Sequence, residues 1–196
     1  MSNTDQVLVE DKTYEKIDGK LTPLGRGEYV CCVFNNCDLS NANLSDIKFV
    51  ECTFSGCNLS LAALDRTAFR GVRFIDCKML GLLFGKCNEF GLSFDFKNCT
   101  LNLSSFYRMK VKKTNFIQVK MEEVDFTECD LSASTFDNCD FARAIFYHTK
   151  LAKTDFRTSF NYSIDPELNH VKKAKFSLSG IEGLLAKYDI EIDRTS

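Results

Sequence analysis

From Cys32 to Gly71 the chain reads CVFNN, CDLSN, ANLSD, IKFVE, CTFSG, CNLSL, AALDR and TAFRG. From Val124 to Thr158 it reads VDFTE, CDLSA, STFDN, CDFAR, AIFYH, TKLAK and TDFRT. The middle position of each five is Phe or Leu, the first is mostly small, and the others are mostly polar. A period of five fits neither the 3.6 of a helix nor the 2 of a strand. It predicts a four-sided solenoid, one side per five residues, with the middle and first positions turned inward.

Four sides make a coil of 20 residues, so inward side chains should recur at that interval. One column reads Phe34, Phe54, Phe74, Phe96, Phe116, Phe136 and Phe156. Its single step of 22 locates a two-residue insertion between Phe84 and Phe96, near Asn88–Leu92. The second column is Leu39, Leu59, Met79, Leu101, Met121 and Phe141, and the third is Leu44, Leu64, Phe84, Phe106, Phe126 and Phe146. The fourth runs Phe49, Phe69, a member near Phe90, then Val111, Leu131 and Leu151. Rings stacked at the spacing of adjacent strands, about 4.8 Å, lie within the range of favourable offset stacking.

The chain resembles the pentapeptide-repeat family over Gly27–Thr158. That family repeats a small residue, Asp or Asn, Leu or Phe, and two polar residues. The resemblance implies an all-β fold, a right-handed quadrilateral β-helix. Residues 1–26 lack the period and predict a polar N-terminal arm or cap, with a strand in the Val7–Val9 region. Coils are expected over 27–158.

Residues 159–196 predict a loop, a last partial coil and a short helix followed by a strand. Ala174 and Phe176 keep register with Phe156. Ser179-x-x-Glu182 has the form of a capping box. Ile181, Leu184, Leu185 and Tyr188 share one helix face, and Ile190 and Ile192 alternate as in a strand. The ending resembles the C-terminal module of Qnr and MfpA members, which implies a homodimer interface built on those six residues.

Composition narrows the chemistry. Among 196 residues, 25 Lys+Arg and 27 Asp+Glu give a net charge of −2, which argues against a strongly basic polyanion binder. No run of 18 apolar residues predicts a membrane span, and the polar, acidic start predicts no secretory signal. The expected location is a reducing cytoplasm. Of the 10 cysteines, all but Cys31 fall at the small inward position. There is no Cys-x-x-Cys pair, so a packing role is expected and no metal site.

No catalytic motif is present. His148 is expected at an outward corner and His170 in a loop. Glu122, Glu123, Asp125, Glu128 and Asp130 run round one coil and are the candidate partner-binding residues, on a solvated acidic rim. Lys110, Lys112, Lys113, Lys150 and Lys153 form a basic counterpart on the fourth side. No aromatic residues interleave with those lysines to stack on bases.

No enzyme, cofactor, membrane contact or direct nucleic-acid binding is therefore expected. The Qnr and MfpA resemblance implies a bacterial protein that binds DNA gyrase and topoisomerase IV and modulates quinolone susceptibility. Dimers of those proteins are comparable with duplex DNA in size and charge. This chain has neither a sustained negative stripe nor projecting loops. The alternative is a rigid dimeric scaffold for an unrelated partner.

Overall fold

A computed structural model describes residues 6–193. Residues 1–5 of the expected arm and 194–196 of the expected C-terminal module lie outside the described residues. The chain winds into a quadrilateral β-solenoid in which paired residues of successive coils are 20 positions apart, or 22 across the insertion. All strand pairings among the described residues are parallel, as coils stacked in one direction require. A seven-stranded sheet contains Thr13–Glu15, Val33–Asn35, Thr53–Ser55, Val72–Ile75, Phe94–Lys97, Asn115–Ile117 and Thr135–Asp137. A four-stranded sheet contains Val7–Glu10, Gly27–Val30, Lys48–Val50 and Ala68–Arg70. The other two sides are joined by single bridges, such as Asp38↔Asn58 and Asn43↔Ala63.

The inward columns stand as the period predicts. Phe34 stacks on Phe54 at 4.6 Å, Phe96 on Phe116 at 5.2 Å, and Phe116 on Phe136 at 4.6 Å. Rings of neighbouring columns meet edge to face, as Phe49 and Phe54 do at 77°. Both geometries are favourable for aromatic quadrupoles.

The corners explain the polar fifth position. There the backbone turns with positive φ, for example 51° at Asn36, 57° at Asn41 and 63° at Asp46. Left-handed φ is costly for β-branched residues. Among the described residues none of the positive-φ positions is Val, Ile or Thr. Cys31 is such a corner, with φ 53°, and it is the exposed cysteine.

The nine inward cysteines are buried. Their position asks for more than small volume. The thiols of Cys57, Cys77 and Cys139 lie 3.2, 3.4 and 3.3 Å from the carbonyls of Phe34, Phe54 and Phe116. Each carbonyl lies 23 residues back. Thr67, Thr154 and Ser159 donate hydroxyls at the same separation, at 2.8, 3.0 and 2.9 Å. Cys, Ser and Thr thus share this slot as small side chains able to donate, the thiol more weakly.

Five expectations need correction. Residues 7–26 are a full coil rather than an arm. Val7–Glu10 pairs with Gly27–Val30, and Thr13–Glu15 pairs with Val33–Asn35. The period continues backwards through Tyr29, Leu24, Gly19, Tyr14 and Val9. Tyr14 stacks on Phe34 at 4.8 Å and 2°. Gly19 stands where the column would carry a large residue, and a Cβ there would lie 2.9 Å from Leu39 Cδ2.

Phe90 is not the missing column member, since it is 77% exposed. The insertion bulges outward after Ala68–Arg70, and Arg70 lies over the Phe90 ring at 5.3 Å. His170 is on a coil rather than in a loop. It bridges Lys150 and donates its N–H to Thr149 O at 3.0 Å.

At the C-terminus, Ser179 does not cap the helix. Ser177 Oγ accepts from Gly180 N at 3.1 Å, and a 3-10 turn, Leu178–Gly180, leads into helix α1, Glu182–Leu185. Ile190 and Ile192 form no strand. The chain turns sharply at Asp189, with φ 49°.

Candidate functional site

The buried centre of the solenoid is filled by rings and aliphatic side chains, twelve of the largest below 2% exposure. Chemistry therefore has to reside on the outer faces or at an end. Among the described residues no group of three or more His, Cys, Asp and Glu is placed to hold a metal ion. No helix among them is long and apolar enough to cross a membrane. His148 sits on a corner with φ 52°, its ring against Tyr147 at 4.2 Å.

The acidic residues of 122–130 wrap three sides of one coil and do not converge. Glu122 and Glu123 both pair with Arg143, which lies 20 residues after Glu123. Glu128 takes a two-pronged pair from Arg108, at 2.7 and 3.1 Å. Asp125 accepts from Thr127 N at 2.8 Å. Asp130 is buried and accepts from Ser132 Oγ at 2.6 Å and from Lys112 at 3.0 Å. The Arg108 guanidinium holds the Glu128 carboxyl below its usual range. Four of the five rim carboxylates thus pair with a base one coil above or below. Sequence spacing contains this signal, because acid and base at a separation of 20 stack on a solenoid.

The C-terminal end is built differently. Helix α1 lies flush on Tyr162. A Cβ at Gly183 would fall 2.2 Å from the Tyr162 carbonyl oxygen, and one at Gly180 would fall 1.9 Å from its hydroxyl. Gly183 O in turn accepts from Ile164 N at 2.9 Å. Lys187 donates to Asp165 at 2.8 Å and pairs with Glu167 at 2.6 Å, while Tyr188 donates to Glu167 at 3.0 Å. Those two carboxylates hold the Lys187 ammonium above its usual value. The module is thus clamped to the last coil.

Of the six expected interface residues, Leu184 packs against the chain's own core. Ile181, Tyr188, Ile190 and Ile192 are exposed, and Leu185 is half-buried. Leu178, Ile181, Leu185 and Ile192 line an open groove of about 830 Å³. Leu178, which the helix periodicity did not single out, is 87% exposed at its rim. It escaped notice because it belongs to the 3-10 turn rather than to the helix.

The profile of the pentapeptide repeat region matches residues 30–95 and 92–161. The chain belongs to the pentapeptide-repeat family. No curated protein matches this pentapeptide-repeat chain in sequence. Among solved structures it is similar to a trypsin-treated variant of QnrB1, a plasmid-mediated fluoroquinolone resistance protein. That likeness has a TM-score of 0.70 and 16% identity, covering 98% of this chain and 94% of the other. Full-length QnrB1 gives a TM-score of 0.63 and 15% identity, covering 94% of this chain and 100% of the other. At these identities the likeness establishes a common fold, which does not itself decide function.

Proposed function

We propose that this pentapeptide-repeat chain is a non-enzymatic docking rod. It binds a bacterial type II topoisomerase, DNA gyrase or topoisomerase IV, as a cytoplasmic homodimer, and so modulates quinolone susceptibility. The observation that carries this reading is the end-to-end likeness to QnrB1, with TM-score 0.70 over 98% of the chain. The filled interior supports a role through surface and shape rather than turnover. The apolar groove of Leu178, Ile181, Leu185 and Ile192 supports pairing through the C-terminal end, because such a surface is favourably covered. A gyrase supercoiling assay with and without quinolone tests the reading. The expected result is a dose-dependent change in inhibition by the drug, and an unchanged drug response contradicts it.

A second reading is a rigid dimeric scaffold with an unrelated partner. The pairing of Glu122 and Glu123 with Arg143, and of Glu128 with Arg108, favours it. Paired carboxylates offer a weak field to a basic DNA-binding surface.

A further inference from the structure

The fourth side of the solenoid carries charge of the opposite sign, and most of it is unpaired. Lys110, Asp130, Lys150 and His170 stack on this side through successive parallel bridges. At the adjoining corner the order is Lys113, Ala133, Lys153 and Lys173, tied by the bonds Lys113 N to Ser132 O, Ala133 N to Ala152 O and Lys153 N to Lys172 O. Lys110, Lys113, Lys150, Lys153, Lys172 and Lys173 are exposed and make no ion pair among the described residues. The single acid in the stack, Asp130, is buried and already engaged by Ser132 and Lys112.

The relief of this surface is as informative as its charge. Ser132 and Ala133 occupy the coil between that of Lys113 and that of Lys153. Lys113 and Lys153 stand two coils apart, roughly 10 Å at the spacing of adjacent strands. The result is a shallow trough with a floor of small residues and cationic banks.

We propose that this trough docks a short acidic polypeptide segment, whose carboxylates reach both banks. Several features favour a short peptide over duplex nucleic acid. The chain nets −2 although this surface is strongly positive, so the remaining surface is acidic and repels a long polyanion. The lysine positions of this surface are interleaved with no Phe, Tyr or Trp for base stacking, and its cations are lysines, without the planar fork that arginine offers to phosphate. The site lies on the flank of the solenoid and does not depend on the topoisomerase reading.

The test uses the full chain and a fluorescein-labelled octaglutamate peptide, read by anisotropy at low and at physiological salt. The wild type should bind saturably, and more weakly as salt rises. The triple variant Lys113→Glu, Lys153→Glu, Lys173→Glu should weaken binding at least about tenfold, whereas Lys78→Glu with Lys120→Glu, on another side, should not. Should the charge-reversed variant fail to fold, the neutral set Lys113→Gln, Lys153→Gln, Lys173→Gln gives the same reading with a smaller loss. The proposal is overturned by three results: no peptide binding at low salt, an equal loss in the control variant, or tighter binding to a short duplex or to phosphatidylserine vesicles than to the peptide.

Discussion

The ring of Phe94 meets that of Phe69 at 6.4 Å and 65°. Phe94 pairs with Val72, at a position that on the other coils from Cys32 onward holds Cys, Thr, Ser or Ala. A large ring is accommodated there because the insertion carries the usual fourth-column residue outward. Phe94 also contacts Phe84 at 5.6 Å and Phe96 at 5.0 Å, and is 4% exposed. The insertion and the oversized residue are two halves of one packing solution. Phe94→Ala should destabilise the chain by about 3–5 kcal/mol, and Phe90→Ala, on the outer bulge, far less. Urea denaturation of both variants checks this, and equal losses would contradict it.

Phe116 lies between Phe96 and Phe136, at 5.2 and 4.6 Å. Phe116→Ala should cost about 3–5 kcal/mol, since stacked neighbours on both sides cannot readily collapse into the space. A loss under about 1 kcal/mol in urea, well short of that range, would mean the column does not carry the stability.

Burial pushes the thiols of Cys52, Cys87 and Cys139 up to about 12. They stay protonated and unreactive at mildly alkaline pH, because the thiolate is the nucleophile. Cys31 alone is exposed, so a thiol reagent should modify it first and the nine buried cysteines only after denaturation. Rapid modification of several thiols in the native protein would show an open solenoid.

Arg66, Arg108 and Arg157 hold Asp46, Glu128 and Asp155 below the usual carboxylate range. A depressed folded-state pKa contributes stability above the unfolded value, about 4, and that contribution is lost as pH falls through the folded value. Tm should hold steady near neutrality and fall once the pH drops below about 4. These pairs lie near the surface, so each contributes little alone and salt should soften the fall. A Tm that rises on acidification would contradict the assignment.

The solenoid and its columns are legible in the sequence because each inward position faces one repeated demand, a ring over a ring or a small donor over a carbonyl. Where that demand is met unusually, the pattern fades. The first coil carries Tyr14 and Gly19 in place of Phe or Leu, so its period is masked although Tyr29 and Val9 keep phase. Phe94 hides because it sits in a small-residue slot. The pairing within the rim is a property of residues 20 apart, visible only once the coil length is applied to Glu123 and Arg143. The C-terminal helix is short and takes its direction from Tyr162, Gly180 and Gly183, contacts that a local capping motif does not encode.

The C-terminal end offers two separable tests. Gly183→Ala places a methyl against the Tyr162 carbonyl and should dislodge helix α1, with loss of protease resistance at the C-terminus and little change in β circular dichroism. Ile181→Asp with Leu185→Asp leaves Leu184 on the core and should convert a dimer into monomers in sedimentation velocity. A wild-type chain that sediments as a monomer at micromolar concentration contradicts the dimer.

Direct binding of the purified chain to immobilised gyrase or topoisomerase IV tests the central claim. Saturable binding to at least one of the two enzymes is expected without added DNA or nucleotide, weakening as salt rises. Charge reversal at Glu122 and Glu123 should weaken it only modestly, since both carboxylates already share the Arg143 guanidinium. Absence of wild-type binding to either enzyme at low salt would contradict the topoisomerase reading and leave the scaffold.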